Sequence, residues 1–393
     1  MRRPAPTTPV YPLSLPQYAL PDDLTNGQPL VLQLYEAEAE AMAKAEEALR
    51  ADLRFEHLGD PEKALVRFIG QCHLDKAEHV EEFICAHARD PEELPCYLAV
   101  DHLKVSEERQ ILGLALIPIT DPRVPTHPYF SWEPPTGAVA VVPTKGTNHE
   151  LMVQRARATA EHSLRLMKAA LRAHFGIHDH QLRFRLGERY ALGMNRIGGE
   201  SQPDRAYLLE LDDSLVSLAE GQPLSSLREM PRNDVERQAL RALKWMERAR
   251  HSGDPLVALL FLFFAHEAIL GDKGEGLKAH GLAFRQTMLG HIVDGHFTHP
   301  TRTWWLYDEV RSEAVHGGDV EATWDMVSHF ESDVRETLNR YLLVAAREGL
   351  SRRGRLLKYL NDHPDKVQLI AWLRNYGGDV WTPFLDKLGK SAR

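Results

Sequence analysis

The stretch YDEVRSEAVHGG, residues 307 to 318, sets a guanidinium, Arg311, five positions before an imidazole, His316, and then places two glycines. Those side-chain types suit proton transfer beside a centre that gathers negative charge. A histidine titrates near neutral pH, so it can take a proton from an attacking hydroxyl or give one to a departing oxygen. An arginine fork matches the oxygens of a phosphoryl group as their charge grows. On a regular α-helix, however, five positions turn the chain by about 500°, roughly 140° past a full turn. The two side chains therefore converge only if the helix ends between them or a second molecule supplies the complement. Gly317 and Gly318 favour an ending, because glycine is the usual residue beyond a helix C-terminus. The same residues also fit a plain helix end, where cations interact well with the dipole, and R-x-x-x-x-H alone is loose enough to recur by chance.

The elements that must hold this pair follow from the rest of the chain. Its 393 residues are 43% hydrophobic and 26% charged, as in a globular protein with ample core and two or three domains. A net charge of -9 argues against a uniformly basic nucleic-acid surface but leaves room for a local basic cleft. Three cysteines, Cys72, Cys85 and Cys96, make no disulfide framework and suggest a reducing, cytoplasmic setting. The proline-rich start lacks the continuous apolar run of a signal peptide and reads as an extended arm over residues 1–31. The most apolar run, LVALLFLFFA at 256–265, is too short to span a bilayer and reads as a buried helix, so no membrane partner is expected.

Residues 32–230 read as a mixed α+β domain. An Ala- and Glu-rich helix is expected over 32–53, with two short helices within 61–89. CYLAVDHLKV and QILGLALIPI read as strands and suggest a hairpin turning at SEER, residues 106–109. A proline-rich loop over 120–137 leads to the strand GAVAVVPT, and Thr147 or Asn148 caps the helix that follows. LRFRLGERYAL and AYLLELDD are further strands. From 231 to 349 the chain reads as an all-α bundle of five helices with short connections, two of them started by Asn233 or Asp234 and by Asp254 with Pro255. Asp319 is the expected cap of its long last helix. The tail, 350–393, carries nine Lys or Arg against four Asp and suggests two short helices.

Three features together resemble the HEPN superfamily, and within it the Apea-like HEPN proteins. YDEVRSEAVHGG is similar to that family's Y-x-x-R-S-x-x-V-H-G signature, it precedes one long helix, and FLFFAHEAIL matches the family's apolar helix with a single glutamate, here Glu267. The resemblance covers about residues 232–348, and RARATAEHSLRLMKAALR with LRFRLGERY resembles the companion region of such proteins more weakly. It implies an α+β region followed by a HEPN helical bundle that cleaves RNA without a metal or other cofactor. Arg311 and His316 would be catalytic, Ser312 would orient the phosphate, and two copies would pair as a homodimer to compose the cleft. It further implies a bacterial defence or toxin setting, with the N-terminal domain meeting a regulatory partner or ligand. A HEPN module that only binds nucleic acid or protein, or only dimerises, is the alternative. Glu267 on so apolar a helix needs a cation, with Arg311 the first candidate and Arg285 another, unless it is partly exposed.

Other clusters carry less. Cys72, His73, His79, Cys85, His87 and Cys96 lack paired metal-ligand spacing and read as buried thiols and surface imidazoles. His174, His178 and His180 straddle Gly176, where a helix ends, and His291, His296 and His299 raise the same question with the same answer. GDKGEG follows a helix and lacks the G-K-[ST] ending of a phosphate loop. Trp304 and Trp305 suit a core or dimer anchor better than base stacking.

Overall fold

The computed structural model describes residues 18–20, 30–32, 52–60, 64, 86–126, 132, 136–175, 182–194, 196–199, 209–229, 231–272, 278–316 and 321–390. The expected helices over 32–53 and 61–89, part of the loop over 120–137, and Asp319 lie partly or wholly outside these residues. The strands in chain order are β1 (Tyr18–Leu20), β2 (Leu30–Leu32), β3 (Glu92–Asp101), β4 (Leu103–Lys104), β5 (Arg109–Ile111), β6 (Leu114–Pro118), β7 (Thr136–Gly146), β8 (Arg185–Leu192), β9 (Arg196–Gly198) and β10 (Leu209–Glu210). The helices are α1 (His149–Phe175), α2 (Asp213–Glu220), α3 (Asp234–Arg250), α4 (Pro255–Leu270), α5 (Lys278–Asp294), α6 (Thr301–Trp305), α7 (Ser312–His316), α8 (Trp324–Arg347), α9 (Arg353–Asp362), α10 (Lys366–Tyr376) and α11 (Thr382–Lys390). An antiparallel sheet in the N-terminal part and a helical C-terminal part thus follow each other along the chain. Among the described residues, no helix is long and apolar enough to cross a membrane.

Two compact units divide these elements: residues 1–101, 117–160 and 186–205 in the first, and 102–116, 161–185 and 206–393 in the second. In the first, β7, β3, β8 and β9 are neighbours in that order. The apolar run of β3 is buried without interruption from Cys96 to Asp101, and it pairs antiparallel with β7 from Glu92↔Gly146 to Asp101↔Thr136. Tyr97, Ala99, Ile117, Val139 and Ala191 form a core with Trp132, whose indole N–H donates to Pro125 O at 2.8 Å.

The expected hairpin at 106–109 is corrected. β3 lies between β7 and β8, and the chain reverses later, at Leu112–Gly113, to pair Arg109↔Leu116 within the second unit. Both turn residues are left-handed, with φ of 49° and 79°, as a two-residue primed turn requires. Leu112 tolerates this because its backbone is held at both ends: its N–H donates to Glu220 at 2.5 Å, and its carbonyl accepts from Ser163 at 2.9 Å. β4 instead pairs parallel with β10.

Helix starts follow local chemistry. Asn148 Oδ1 accepts from the backbone of Glu150 and Leu151 at 3.0 and 3.2 Å and opens α1. Asn233 accepts from Glu236 N at 2.9 Å and opens α3. Asp254 accepts from Val257 N at 2.9 Å, with Pro255 at the first position of α4. Replacing Asp254 with alanine should cost about 1 kcal/mol, read as a lower urea midpoint at unchanged slope. The long helix α8 starts at Trp324, where Thr323 caps Met326 N at 3.3 Å. Helix α2 was not evident in the sequence; Asp212 caps it through Leu215 N at 2.9 Å, and Leu215 and Ala219 bury one side.

In the second unit α3 and α8 pack on α4, and α8 also packs on α5. The second half of α1 joins them through charge. Arg165 pairs with Glu247 at 2.5 Å, and Glu331 of α8 bridges Arg172 at 3.1 Å and Arg250 at 2.7 Å. A single cut near residue 230 therefore does not separate the two units.

Candidate active site

The stretch that carries Arg311 is not a uniform helix. Helix α6 gives way at Leu306 to a π turn that runs through Arg311, and α7 resumes at Ser312 and ends at His316. Such turns are uncommon and frequently lie at functional sites. The buried side of this one holds Leu306, Tyr307 and Val310 in the core and leaves Arg311 half-buried at its edge.

Arg311 meets Glu267 of α4: its Nε lies 3.0 Å from Glu267 Oε1, with side chains 26% and 18% exposed. The N–H and the oxygen are not aligned as a hydrogen bond, so the contact is one of charge. Lys278, the first residue of α5, takes the other oxygen at 2.5 Å. Each carboxylate oxygen thus faces one cation. Arg285, the other expected partner, is engaged elsewhere, with Asn361 Oδ1 at 3.0 Å and Leu270 O at 2.7 Å. Ser312 is half-buried, with its backbone N–H on Glu309 O. His316 ends α7, but its side chain lies outside the described residues, as do Gly317 and Gly318. Arg311, Glu267 and Ser312 are placed; the imagined meeting of Arg311 with His316 is not.

Behind Arg311 lies a buried polar pair that sequence reasoning missed. Tyr307 donates its hydroxyl to Phe263 O at 3.1 Å, and His266 Nδ1 lies 3.1 Å from the same hydroxyl. Tyr307 has one proton and Phe263 O takes it, so His266 must donate from Nδ1. Its Nε2 then remains buried without a partner. Burial holds the His266 imidazole down at about 3, hence neutral. Burial also pushes the Tyr307 phenol well above its usual range, the Glu267 charge adding to this and Arg311 opposing it. The pair packs with Phe263 and Phe330 at ring separations of 4.9 to 6.3 Å. The available signals were Tyr307 four residues before Arg311 and His266 beside Glu267.

A depressed histidine makes stability depend on pH. The unfolded imidazole binds a proton below about 6.5, whereas the folded one stays neutral until about 3, so stability is full above 6.5 and falls as pH drops through that window. Between pH 6.5 and 4.5 the cost is roughly 2–3 kcal/mol. Urea titrations should show this slope in the native protein and a flatter one in His266→Phe. Equal slopes would mean that His266 is protonated in the fold.

The other histidines serve locally. His291 binds Asp365 at 3.0 Å, His296 the carbonyl of Asp294 at 3.3 Å and His299 that of Tyr376 at 3.2 Å. His174 is exposed, while His178 and His180 lie outside the described residues, as do Cys72, His73, His79 and Cys85. Cys96 is buried in β3 and its thiol is pushed up to about 12 by burial. Among the described residues, no group of three or more His, Cys, Asp or Glu is arranged to hold a metal ion. Trp304 packs against His280 at 5.7 Å, and Trp305 is 43% exposed.

Comparison of the chain with protein-family models, with curated proteins and with solved structures finds no match.

Proposed function

We propose that the chain is a metal-independent endoribonuclease of HEPN type, acting through Arg311 and His316 at a homodimer interface. The observation that supports this reading best is the Glu267–Arg311 pair, which fixes the guanidinium at the end of a π turn within five residues of the histidine. RNA carries its own nucleophile, so the chemistry can proceed without a metal. One histidine removes the proton of a 2′-hydroxyl, O2′ attacks the adjacent phosphorus, and the P–O5′ bond breaks as a second histidine protonates O5′. The products are a 2′,3′-cyclic phosphate and a 5′-hydroxyl. Two copies of the motif supply the acid and the base, while Arg311 stabilises the charge on the phosphoryl oxygens and Ser312 orients the phosphate. In a defence or toxin setting the N-terminal region would sense a partner or ligand and restrain the nuclease.

The same ion pair supports a second reading. An arginine already neutralised by a carboxylate can be structural, and the bundle then binds nucleic acid or protein, or dimerises, without cleaving. Incubating the purified protein with mixed RNA in excess EDTA separates the two. The nuclease leaves 2′,3′-cyclic phosphate ends; intact RNA under conditions where the protein is dimeric sinks it in favour of the binding module.

A further inference from the structure

One face of α3 is built for something other than the core. Its buried residues, among them Val235, Ala239, Leu243 and Met246, leave a second stripe at Asp234, Arg237, Gln238, Arg241 and Trp245. The spacing i, i+3, i+4, i+7, i+11 puts these five on one side of the helix. Two clefts open along that side. A cleft of about 700 Å³ lies at the N-terminal end, lined by Arg232, Arg237, Arg352 and Arg355 with the single carboxylate Asp234. A second, of about 410 Å³, lies further along, lined by Arg241, Trp245, Phe264, Glu267, Lys278 and Arg353 among others. It reaches Glu267, the carboxylate that holds Arg311.

Two of the four arginines of the first cleft have carboxylate partners and two do not. Arg232 pairs with Glu229, and Arg237 approaches Asp234 only to 3.8 Å. Asp234 is itself committed to the backbone N–H of Arg353 at 3.0 Å. Arg352 and Arg355 are exposed and have no ion-pair partner among the described residues. The amides at the helix ends are already used: Asn233 takes Glu236 N, and Ser351 O takes the N–H groups of Asp234 and Val235. Guanidinium charge, not a helix terminus, is what this cleft offers. On a chain of net charge -9, such a concentration of cations favours a polyanion.

The second cleft adds an aromatic shelf. Phe264 is 39% exposed and tilts against Trp245 at 5.1 Å. Trp245 is occupied by Phe261, stacked at 5.7 Å, and by the Arg248 guanidinium at 4.6 Å, so the ring left open is that of Phe264. Phosphate-binding arginines followed by an open aromatic ring suit unpaired nucleotides, because a base must leave its duplex to stack on a side chain. From Arg237 to Trp245 the helix rises about 12 Å.

We propose that single-stranded RNA lies along this face of α3, its phosphates on Arg352 and Arg355 beside Arg237 and a base on Phe264, which leads the strand toward Arg311. This rests on the nuclease reading and adds the form of its substrate. The test is binding of the full-length protein to a fluorescent 2′-O-methyl oligoribonucleotide, which lacks the nucleophile and stays whole, over a salt titration. Arg352→Glu/Arg355→Glu should weaken binding by about 10- to 100-fold and flatten the salt slope by roughly 1.4, because two phosphates no longer meet a guanidinium. Phe264→Leu keeps an apolar side chain against Trp245 and should weaken binding by about tenfold at unchanged salt slope. The same sequence as a duplex should bind more weakly and ignore Phe264→Leu. The proposal is overturned if both variants bind like the native protein, if the native protein does not bind the strand, or if the duplex binds as well. Binding as expected with no cleavage in EDTA removes the nuclease reading alone; cleavage with binding indifferent to these changes removes the track alone.

Discussion

Replacing His316 with alanine is expected to lower RNA cleavage by about 10²–10⁴-fold, the span that a positioned general acid or base contributes. If each protomer supplies one histidine, the substitution removes acid and base together, so the loss should sit at the upper end. The fold should survive, because His316 is the last residue of α7 and removing a side chain there disrupts no helix interior. Dimerisation and the urea midpoint should match those of the native protein. Arg311→Lys is the informative companion. It keeps a charge for Glu267, so the fold should hold, but it loses the planar fork, so cleavage should fall without a parallel fall in RNA binding. Cleavage by His316→Ala at the native rate would reduce the motif to a helix end with two cations. An equal loss of stability and activity in both variants would assign them structure rather than chemistry.

Changing Glu331 to glutamine should destabilise the protein by about 3–5 kcal/mol, the typical cost of removing one partner from a buried ion pair. Its side chain is only 6% exposed, between Arg172 of α1 and Arg250 of α3. Arg335, one turn along α8, lies in the same field. Without the carboxylate, cations with little access to water face each other. Burial pushes the Glu331 carboxyl up, but Arg250 and Arg172 outweigh it and hold the group below its usual value. Its contribution is therefore fully present above the ordinary glutamate pKa and lost as pH falls through the lower folded value. Urea denaturation at neutral pH should show the whole deficit of Glu331→Gln, and the gap to the native protein should narrow in acid. A deficit under about 1 kcal/mol would mean that the triad is wetter than its burial implies.

The sequence by itself determined what depends on neighbours along the chain. Asn148, Asn233 and Asp254 cap their helices because a short polar side chain reaches amides two or three residues on, whatever packs later. The apolar helix 255–270 and the strand segments 96–101 and 137–144 follow from residue type and period in the same way. The need of Glu267 for a cation was also legible, since an unpaired carboxylate on such a helix is costly. Arg311 was the first candidate and does answer it, whereas Lys278 was not foreseen: the two lie 44 and 11 residues away, and only the packing of α4 with its neighbours brings them in. Strand partners were decided at the same level. β3 looked ready to pair with the next apolar run, yet the left-handed pair Leu112–Gly113, held by Ser163 and Glu220, turns that run on itself and leaves β3 to β7. The π turn before Ser312 and the neutral His266 beneath Tyr307 belong here too. Caps and periods report local backbone chemistry, whereas pairing and burial depend on groups distant in sequence, and only the assembled fold brings those into reach.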